Sequence, residues 1–537
     1  MQRNKGGKND ISRRRFIQRA AIGAGATVLT GLDAKDSSAK SNQIVDRWDK
    51  EADVVVVGYG GAGIVTAITA HDAGAKVLVL EKAPFRGGGS TSISMGVCAS
   101  PSNVDDAVAY FWEGCGGNDA GGSITPKDVI VAWAEEACKN KEWWDKMGIE
   151  YHTSNMPEFR TFPGASSMTA IGAKRMGQGL FEILDKHVKD RGIEVMFDSP
   201  GTELIQDPSS KQILGVKANS GGVEKNIKAR KAVVLCTGGF DFNEEMKNDF
   251  LKCYPMKFYG WKYNTGDGVK MAQKVGADLW HMDMCAGGHC FWFPEDPDNV
   301  GRQLNPSTSN YLWVDKFGRR WEPDPMFSNH KGWVTFLRFS LVDAGFTRIP
   351  TYQIFDETQR KEETEMFSGN MSWMAGLSGR ETLPAELGGT PQMSRTEMIE
   401  KGWIKKGDTL EALAAAIGGK MDPALLKASV EKYNKYCAEG KDPDFGRETR
   451  TLKPVDNPPY YAASLYPGMV CTHGGARRNG KAQILDPDKK PIPRLYSAGT
   501  FGSVMGRIYA VYGGNVGECC AFGRIAGRNA AAEKPWS

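Results

Sequence analysis

An α/β architecture follows from three patterns in the 537-residue chain. Asp53 is followed by four valines, the composition of a strand buried on both faces, and the run ends in the glycine turn Gly58-Tyr59-Gly60-Gly61-Ala62-Gly63. A second short apolar run, Lys76 to Leu80, ends in Glu81. Near the other end, Pro493 to Gly499 reads as a strand and turn, and Gly514 to Ala531 as a helix with a small-residue face. Together these predict a Rossmann-like nucleotide domain built from both chain ends around an inserted α+β domain.

The first turn carries the chemistry. Gly58 permits the tight turn, Gly60 lets a pyrophosphate approach the backbone, and Gly63 lets helix and strand pack closely. The N–H groups at the start of the helix then hold phosphate, and Glu81 is placed to accept from ribose hydroxyls. An adenine dinucleotide is the ligand this pattern predicts.

The remaining elements follow in order. Gly87 to Gly96 is a Gly/Ser-rich loop, and apolar spacing predicts helices over Asp128–Met147 and Gly177–Asp190. Residues 194–197 and 215–218 read as strands of a small antiparallel layer. Residues 231–236 read as a buried strand ending in Thr237-Gly238-Gly239, and Thr265-Gly266-Asp267-Gly268 opens a helix over Val269–Val275. From about 280 to 450 the chain is rich in Trp, Pro and Met and loses clear periodicity. The predicted divisions are 1–45 (leader and linker), 50–271 and 453–537 (the two parts of the nucleotide domain) and 272–452 (the insertion).

Composition narrows the function. Hydrophobic residues are 41%, charged residues 25% and the net charge is +4, which gives no basic footprint for nucleic acid. No apolar run approaches the length of a membrane span, so a protein integral to the membrane is not predicted. The eleven cysteines follow no cluster or haem spacing, and no metal site is predicted. Ser12-Arg13-Arg14-Arg15-Phe16-Ile17-Gln18, a mildly apolar run and Ser37-Ser38-Ala39 form a twin-arginine leader, which predicts export to the periplasm or another extracytoplasmic space.

Several of these pieces in one order, Glu81-Lys82, Gly87-Gly88-Gly89-Ser90-Thr91, Thr237-Gly238-Gly239, Thr265-Gly266-Asp267-Gly268 and Phe522-Gly523-Arg524-Ile525-Ala526-Gly527, resemble the FAD-dependent fumarate reductase and ketosteroid dehydrogenase superfamily over roughly residues 50–535. The resemblance implies FAD, a cap formed by the insertion, and hydride transfer between flavin N5 and a C=C bond conjugated to a carbonyl. It implies cofactor contacts from Gly58, Gly60, Gly61, Ala62, Gly63, Glu81, Lys82, Gly88, Gly89, Ser90, Thr91, Gly96, Thr237, Gly238, Gly239, Gly266, Asp267, Gly499, Gly514, Asn515 and Val516. It also implies a small enone or enoate substrate and a separate electron donor or acceptor, a cytochrome or quinone-linked protein.

The branches of that superfamily differ in how they hold the substrate oxygen. Where the dicarboxylate-reducing branch keeps an arginine, a histidine and an arginine proton donor, this chain has Val511, Cys471 and a position near Ser328. Val504-Met505-Gly506, Tyr509 and Gly513-Gly514 match the ketosteroid-dehydrogenase branch instead, which implies that the Tyr509 hydroxyl and the Gly513 N–H bind a ketone oxygen. The proton donor or acceptor stays open among Tyr259, Tyr311, Tyr352 and His473, with His473 placed near the flavin by Thr472-His473-Gly474-Gly475 and suited to proton transfer by the ordinary titration of imidazole. Arg507 is left between a flavin contact and a solvated loop end. The aromatic residues of the insertion, Trp280, Phe291, Trp292, Trp313, Trp321, Trp333 and Trp373, read chiefly as its core. Two other readings stand beside this one: a non-catalytic flavin carrier, and a carboxylate reductase of the fumarate or urocanate type with altered arginines.

Overall fold

Four consecutive valines, Val54 to Val57, bury both faces of one strand, and the fold is arranged to cover them. The computed structural model describes residues 45 and 47–536, apart from 85–86, 156, 259, 297–300, 303–308, 322–329, 363–364 and 367–392. The leader, with Arg13 and Arg14, and also Tyr259, Ser328 and Trp373, lie outside the described residues.

Strand Lys50–Val57 pairs in parallel with Val77–Leu80 on one side and with Val223–Leu235 on the other. Glu194–Met196 adds beyond Val77–Leu80, and Pro491–Ser497 beyond Val223–Leu235, again in parallel. Both ends of the chain therefore meet in one sheet. Glu194–Met196 corrects the sequence reading, which put it in an antiparallel layer. That layer exists, but Gly201–Gln206, Ile213–Ser220 and the first half of Val223–Leu235 form it. Val54 and Val56 pack with Ile64, Ile68 and Phe522 from the first and last helices, Gly61–Asp72 and Gly514–Ala532. Val55 and Val57 face the opposite layer with Val216 and Val233.

A second sheet is organised by the long strand Tyr460–Thr472, which pairs antiparallel with Cys285–Phe291 and Thr351–Asp356. Sequence reading had placed residues 460–472 in the nucleotide domain. Burial on both faces explains the difference: Tyr461, Ala463 and Leu465 join the cluster of Trp313 and Phe355, while Ala462 joins Leu312, Ile354 and Leu413. Trp280, Phe291, Trp313, Trp321 and Trp333 are buried, as core residues should be. The helix expected over 128–147 is two helices, Lys127–Ala137 and Asn140–Lys146. Each cysteine is a free thiol, and among the described residues no helix is long and apolar enough to cross a membrane.

The last helix is clasped from outside by Glu136, whose carboxylate accepts from Arg524 Nε at 2.8 Å and from Arg528 Nη2 at 2.8 Å, while Arg524 also donates to Asn140 Oδ1 at 2.8 Å. Burial opposes the charge on Glu136, but the two guanidinium groups prevail and lower its pKa from 4.5 to about 2. Replacing one partner leaves buried arginine uncompensated, so Glu136→Gln should lose about 3–5 kcal/mol in denaturant unfolding. The depressed pKa fixes the sign of the pH dependence. The carboxylate's contribution is present above pH 4.5 and is lost as pH falls towards about 2, so the gap between wild type and variant should close over that window.

Candidate functional site

The parallel strands end together at Val57, Leu80, Leu235 and Ser497, and an elongated cavity of about 1040 Å³, its open mouth included, lies beyond that edge. Crevices outside the carboxyl ends of parallel strands are where such sheets bind ligands. Of the residues implied by the sequence, Gly58, Gly60, Gly61, Ala62, Glu81, Lys82, Gly89, Ser90, Thr91, Thr237, Gly238, Asp267, Gly499, Asn515 and Val516 line it. Gly63, Gly88, Gly96, Gly239, Gly266 and Gly514 do not; each is packed behind the wall on neighbouring turns or side chains. Sequence reading missed Trp261, Tyr263, Asn264, Cys236 and Cys519, which also line the cavity. Asn264 and Cys236 carried a nearby signal, since they directly precede Thr265-Gly266-Asp267 and Thr237-Gly238-Gly239.

The wall fits a dinucleotide on its own geometry. A Cβ at Gly63 would stand 1.9 Å from the Gly58 carbonyl oxygen, so the protein itself requires glycine there. At Gly60 the backbone is ordinary (φ −85°), and a Cβ would meet no protein atom nearer than 3.9 Å. The space left at Gly60 opens into the cavity. Thr237 also lines the cavity, and its buried hydroxyl has no partner among the described residues. Glu81 accepts from the N–H of Tyr59 and of Ala83, each at 2.7 Å, which aims the carboxylate along the second strand's end. Burial pushes the Glu81 carboxyl above its ordinary value, against those two bonds. Lys82 donates to the Tyr263 carbonyl at 3.0 Å and to Asp267 at 2.7 Å, joining the second strand to the helix Asp267–Lys274.

At the far end, the last helix begins after Gly513 (φ 72°) and presents Asn515 and Val516 to the cavity. Tyr509, Gly513 and His473 stand directly behind these residues and do not line the cavity themselves. The Asn515 N–H donates to the Tyr509 hydroxyl at 3.2 Å, and the Gly513 carbonyl accepts from the Ala99 N–H at 3.0 Å. His473 Nε2 lies 3.0 Å from Asn515 Oδ1 and 3.5 Å from Cys471 Sγ, while Asn515 Nδ2 donates to Cys471 Sγ at 3.0 Å. Burial lowers the His473 pKa to about 3. The imidazole is therefore neutral across ordinary pH and orients Asn515, which corrects its reading as a proton carrier titrating near neutrality. Arg507 pairs with Asp119 at the surface, so it is a loop-end cation and not a wall residue. Tyr311 and Tyr352 sit in paired strands of the second sheet, where Tyr311 is buried and Tyr352 packs against the cluster of Leu312 and Ile354.

The site gathers two further residues that no motif announced. The His330 ring lies on the Tyr509 ring, centroids 4.4 Å apart, and His330 Nδ1 is 2.6 Å from Glu158 Oε1.

Residues 53–516 match the FAD binding domain family. The chain belongs to that family. It is an FAD-dependent oxidoreductase, and the cavity's glycine turn, Glu81 and Thr237 are the groups that would hold the dinucleotide. This flavoenzyme is 30% identical to a urocanate reductase of Eggerthella lenta, over 97% of this chain and 81% of that one. It is 27% identical to a digoxin reductase of the same organism, over 99% of each. Its fold is similar to that of 3-ketosteroid Δ1-dehydrogenase from Sterolibacterium denitrificans, with a TM-score of 0.72 at 23% identity, over 90% of this chain and 100% of that one.

The contrast between two glycines is testable. Gly60→Ala should leave apoprotein unfolding unchanged within about 0.5 kcal/mol while FAD retained on purification, read by flavin absorbance, falls at least about tenfold. Gly63→Ala should lower the stability of the apoprotein itself.

Proposed function

We propose that this oxidoreductase transfers a hydride between FAD and a C=C bond conjugated to a carbonyl, acting on an apolar enone or enoate of steroid-like or aryl type. The observation that carries the reading is the Tyr509 hydroxyl accepting from the Asn515 N–H at the start of the last helix. A phenol whose oxygen already accepts from an amide keeps its own O–H for an outside acceptor. Beside a helix N-terminus, that O–H suits an oxygen that gains negative charge as the double bond takes up hydride. The bound flavin supplies the hydride. Tyr509 and the Gly513 N–H orient the carbonyl and stabilise its developing charge, a contribution of about 2.7–4 kcal/mol for one such donor.

The surrounding groups favour a neutral oxygen over a dicarboxylate. Val511 and Cys471 are buried, His473 is neutral, and Arg507 is engaged at the surface with Asp119. A dianion set there would lack the bidentate cations that hold such groups. The similarity to a urocanate reductase keeps an aryl enoate within the proposed substrate class, and the similarity to a digoxin reductase keeps a steroid-like enone there. The same site run in reverse is a 3-ketosteroid-type dehydrogenase, and the electron partner sets the direction. In this reading the partner is a separate cytochrome or quinone-linked protein, and the twin-arginine leader sends the enzyme out of the cytoplasm.

Tyr509→Phe should lower turnover with an enone by about 10–1,000-fold while the bound-flavin spectrum is unchanged. Equal turnover by the two proteins, with reduced methyl viologen as donor, removes the phenol from the chemistry. Changing Arg13 and Arg14 to Lys should hold the precursor in the cytoplasm, measured by fractionation of cells expressing the tagged protein; normal export would refute the leader.

A further inference from the structure

We propose that His330, oriented by Glu158, carries the proton for the carbon that does not receive hydride. The inference rests on the preceding reading and supplies the acid–base group which that reading leaves unassigned.

Three observations point to it. First, His330 lies against the group proposed to hold the substrate oxygen, with its ring 4.4 Å from the Tyr509 ring and inclined by 33°. Second, its Nδ1 is 2.6 Å from Glu158 Oε1, and a carboxylate on one ring nitrogen fixes the imidazole's orientation. Third, the pair is anchored but reaches water. The Gly287 N–H donates to the His330 carbonyl at 3.1 Å, and Lys331 Nζ donates to the Glu158 carbonyl at 2.8 Å. The side chains of His330 and Glu158 nonetheless keep 24% and 12% of their exposure.

His473, the other imidazole beside Tyr509, has the opposite character. It is fully buried, lies against Asn515 and Cys471, and is held neutral. Glu158 remains a carboxylate: burial works to raise its pKa, but the hydrogen bond and charge of His330, with the charge of Lys331, hold it below the ordinary value. Among the described residues, the other titratable groups around the pair are Tyr509, Tyr512 and Tyr110, phenols whose pKa values burial raises, and Lys331, which lies 3.7 Å from Glu158 Oε2.

The step balances. In reduction, the C=C bond receives two electrons and one hydrogen as hydride from the reduced cofactor at the β-carbon. The resulting enolate takes one proton from the His330 ring at the α-carbon, and the ring regains a proton from water beside Glu158. In oxidation the same imidazole removes that proton as hydride leaves.

The test mixes chemically reduced holoenzyme with an enone or enoate that the wild type turns over, and follows flavin reoxidation. His330→Gln should keep its flavin spectrum and its reduction by dithionite, yet reoxidise about 10²–10⁴-fold more slowly. Glu158→Gln removes the carboxylate that orients the ring, so reoxidation should slow by about 10–100-fold with reduction by dithionite unchanged, and Glu158→Asp should restore part of the rate, a rescue that a merely structural role would not produce. Reoxidation by His330→Gln or by Glu158→Gln within threefold of wild type overturns the inference while the proposed function stands. Should His330→Gln fail to keep flavin, the rates of Glu158→Gln and Glu158→Asp decide alone. A wild type that turns over no enone or enoate overturns both.

Discussion

Close contact between the first and last helices is the constraint from which the site follows. A Cβ at Gly523 would stand 3.0 Å from the Val65 side chain, and one at Gly527 only 2.7 Å from the Thr66 carbonyl oxygen. Neither position has room for a larger residue, so the helices meet backbone to backbone. That approach carries the start of the last helix to the cavity whose other end is the first glycine turn. Gly499 seals the junction, since a Cβ there would press to 2.8 Å on Ala62. Beneath it, buried Glu518 takes the Arg478 guanidinium, the Ser503 hydroxyl and the Val504 N–H. Arg478 reaches the Phe501 carbonyl at 3.3 Å. The loop leading to Tyr509 is thus fixed to the helix that Tyr509 serves.

The electrostatics of that end follow from desolvation. Burial lowers His473 to about 3 and His281 to about 4, and it raises the Cys471 thiol. These groups are therefore neutral, and the N–H groups at the start of the last helix add a positive field beside them. A neutral wall at a helix N-terminus discriminates against a substrate that arrives doubly charged, while it stabilises charge that appears only during reaction. Among the described residues, Glu158 and Lys331 are the charged groups near Tyr509, and they stand with His330, whose side chain stays partly exposed.

Much of the fold could be read locally because local chemistry determines it. The valine run, the turn after it and Glu81 form one continuous unit, and most residues implied there line the cavity. Glu194–Met196 misled because three residues cannot display a period, and only its pairing with Val77–Leu80 makes it a parallel strand. Tyr460–Thr472 misled for a different reason. Its neighbours in the second sheet come from distant segments, and burial on both faces erases the alternation that would have marked a sheet with one wet side. His330 and Glu158 are 172 positions apart and belong to no spaced motif. His473, in contrast, was found by its motif but misjudged in chemistry, because a sequence cannot report that an imidazole will be sealed from water.

One buried acid joins the second sheet to the cofactor wall. Asp241 accepts from the Thr472 N–H, at the end of Tyr460–Thr472, and from Asn264 Nδ2 at 2.6 Å. Asn264 also donates to Ser90 Oγ at 3.1 Å, and both Asn264 and Ser90 line the cavity. Burial raises the Asp241 carboxyl to about 6, against the donors that surround it. Those donors set where the strand ends, and the residues on either side of Thr472, Cys471 and His473, are the ones that hold Asn515. A single carboxyl thus ties the second sheet to the cofactor wall. The end of Tyr460–Thr472 is then held against the cofactor wall by hydrogen bonds in the interior.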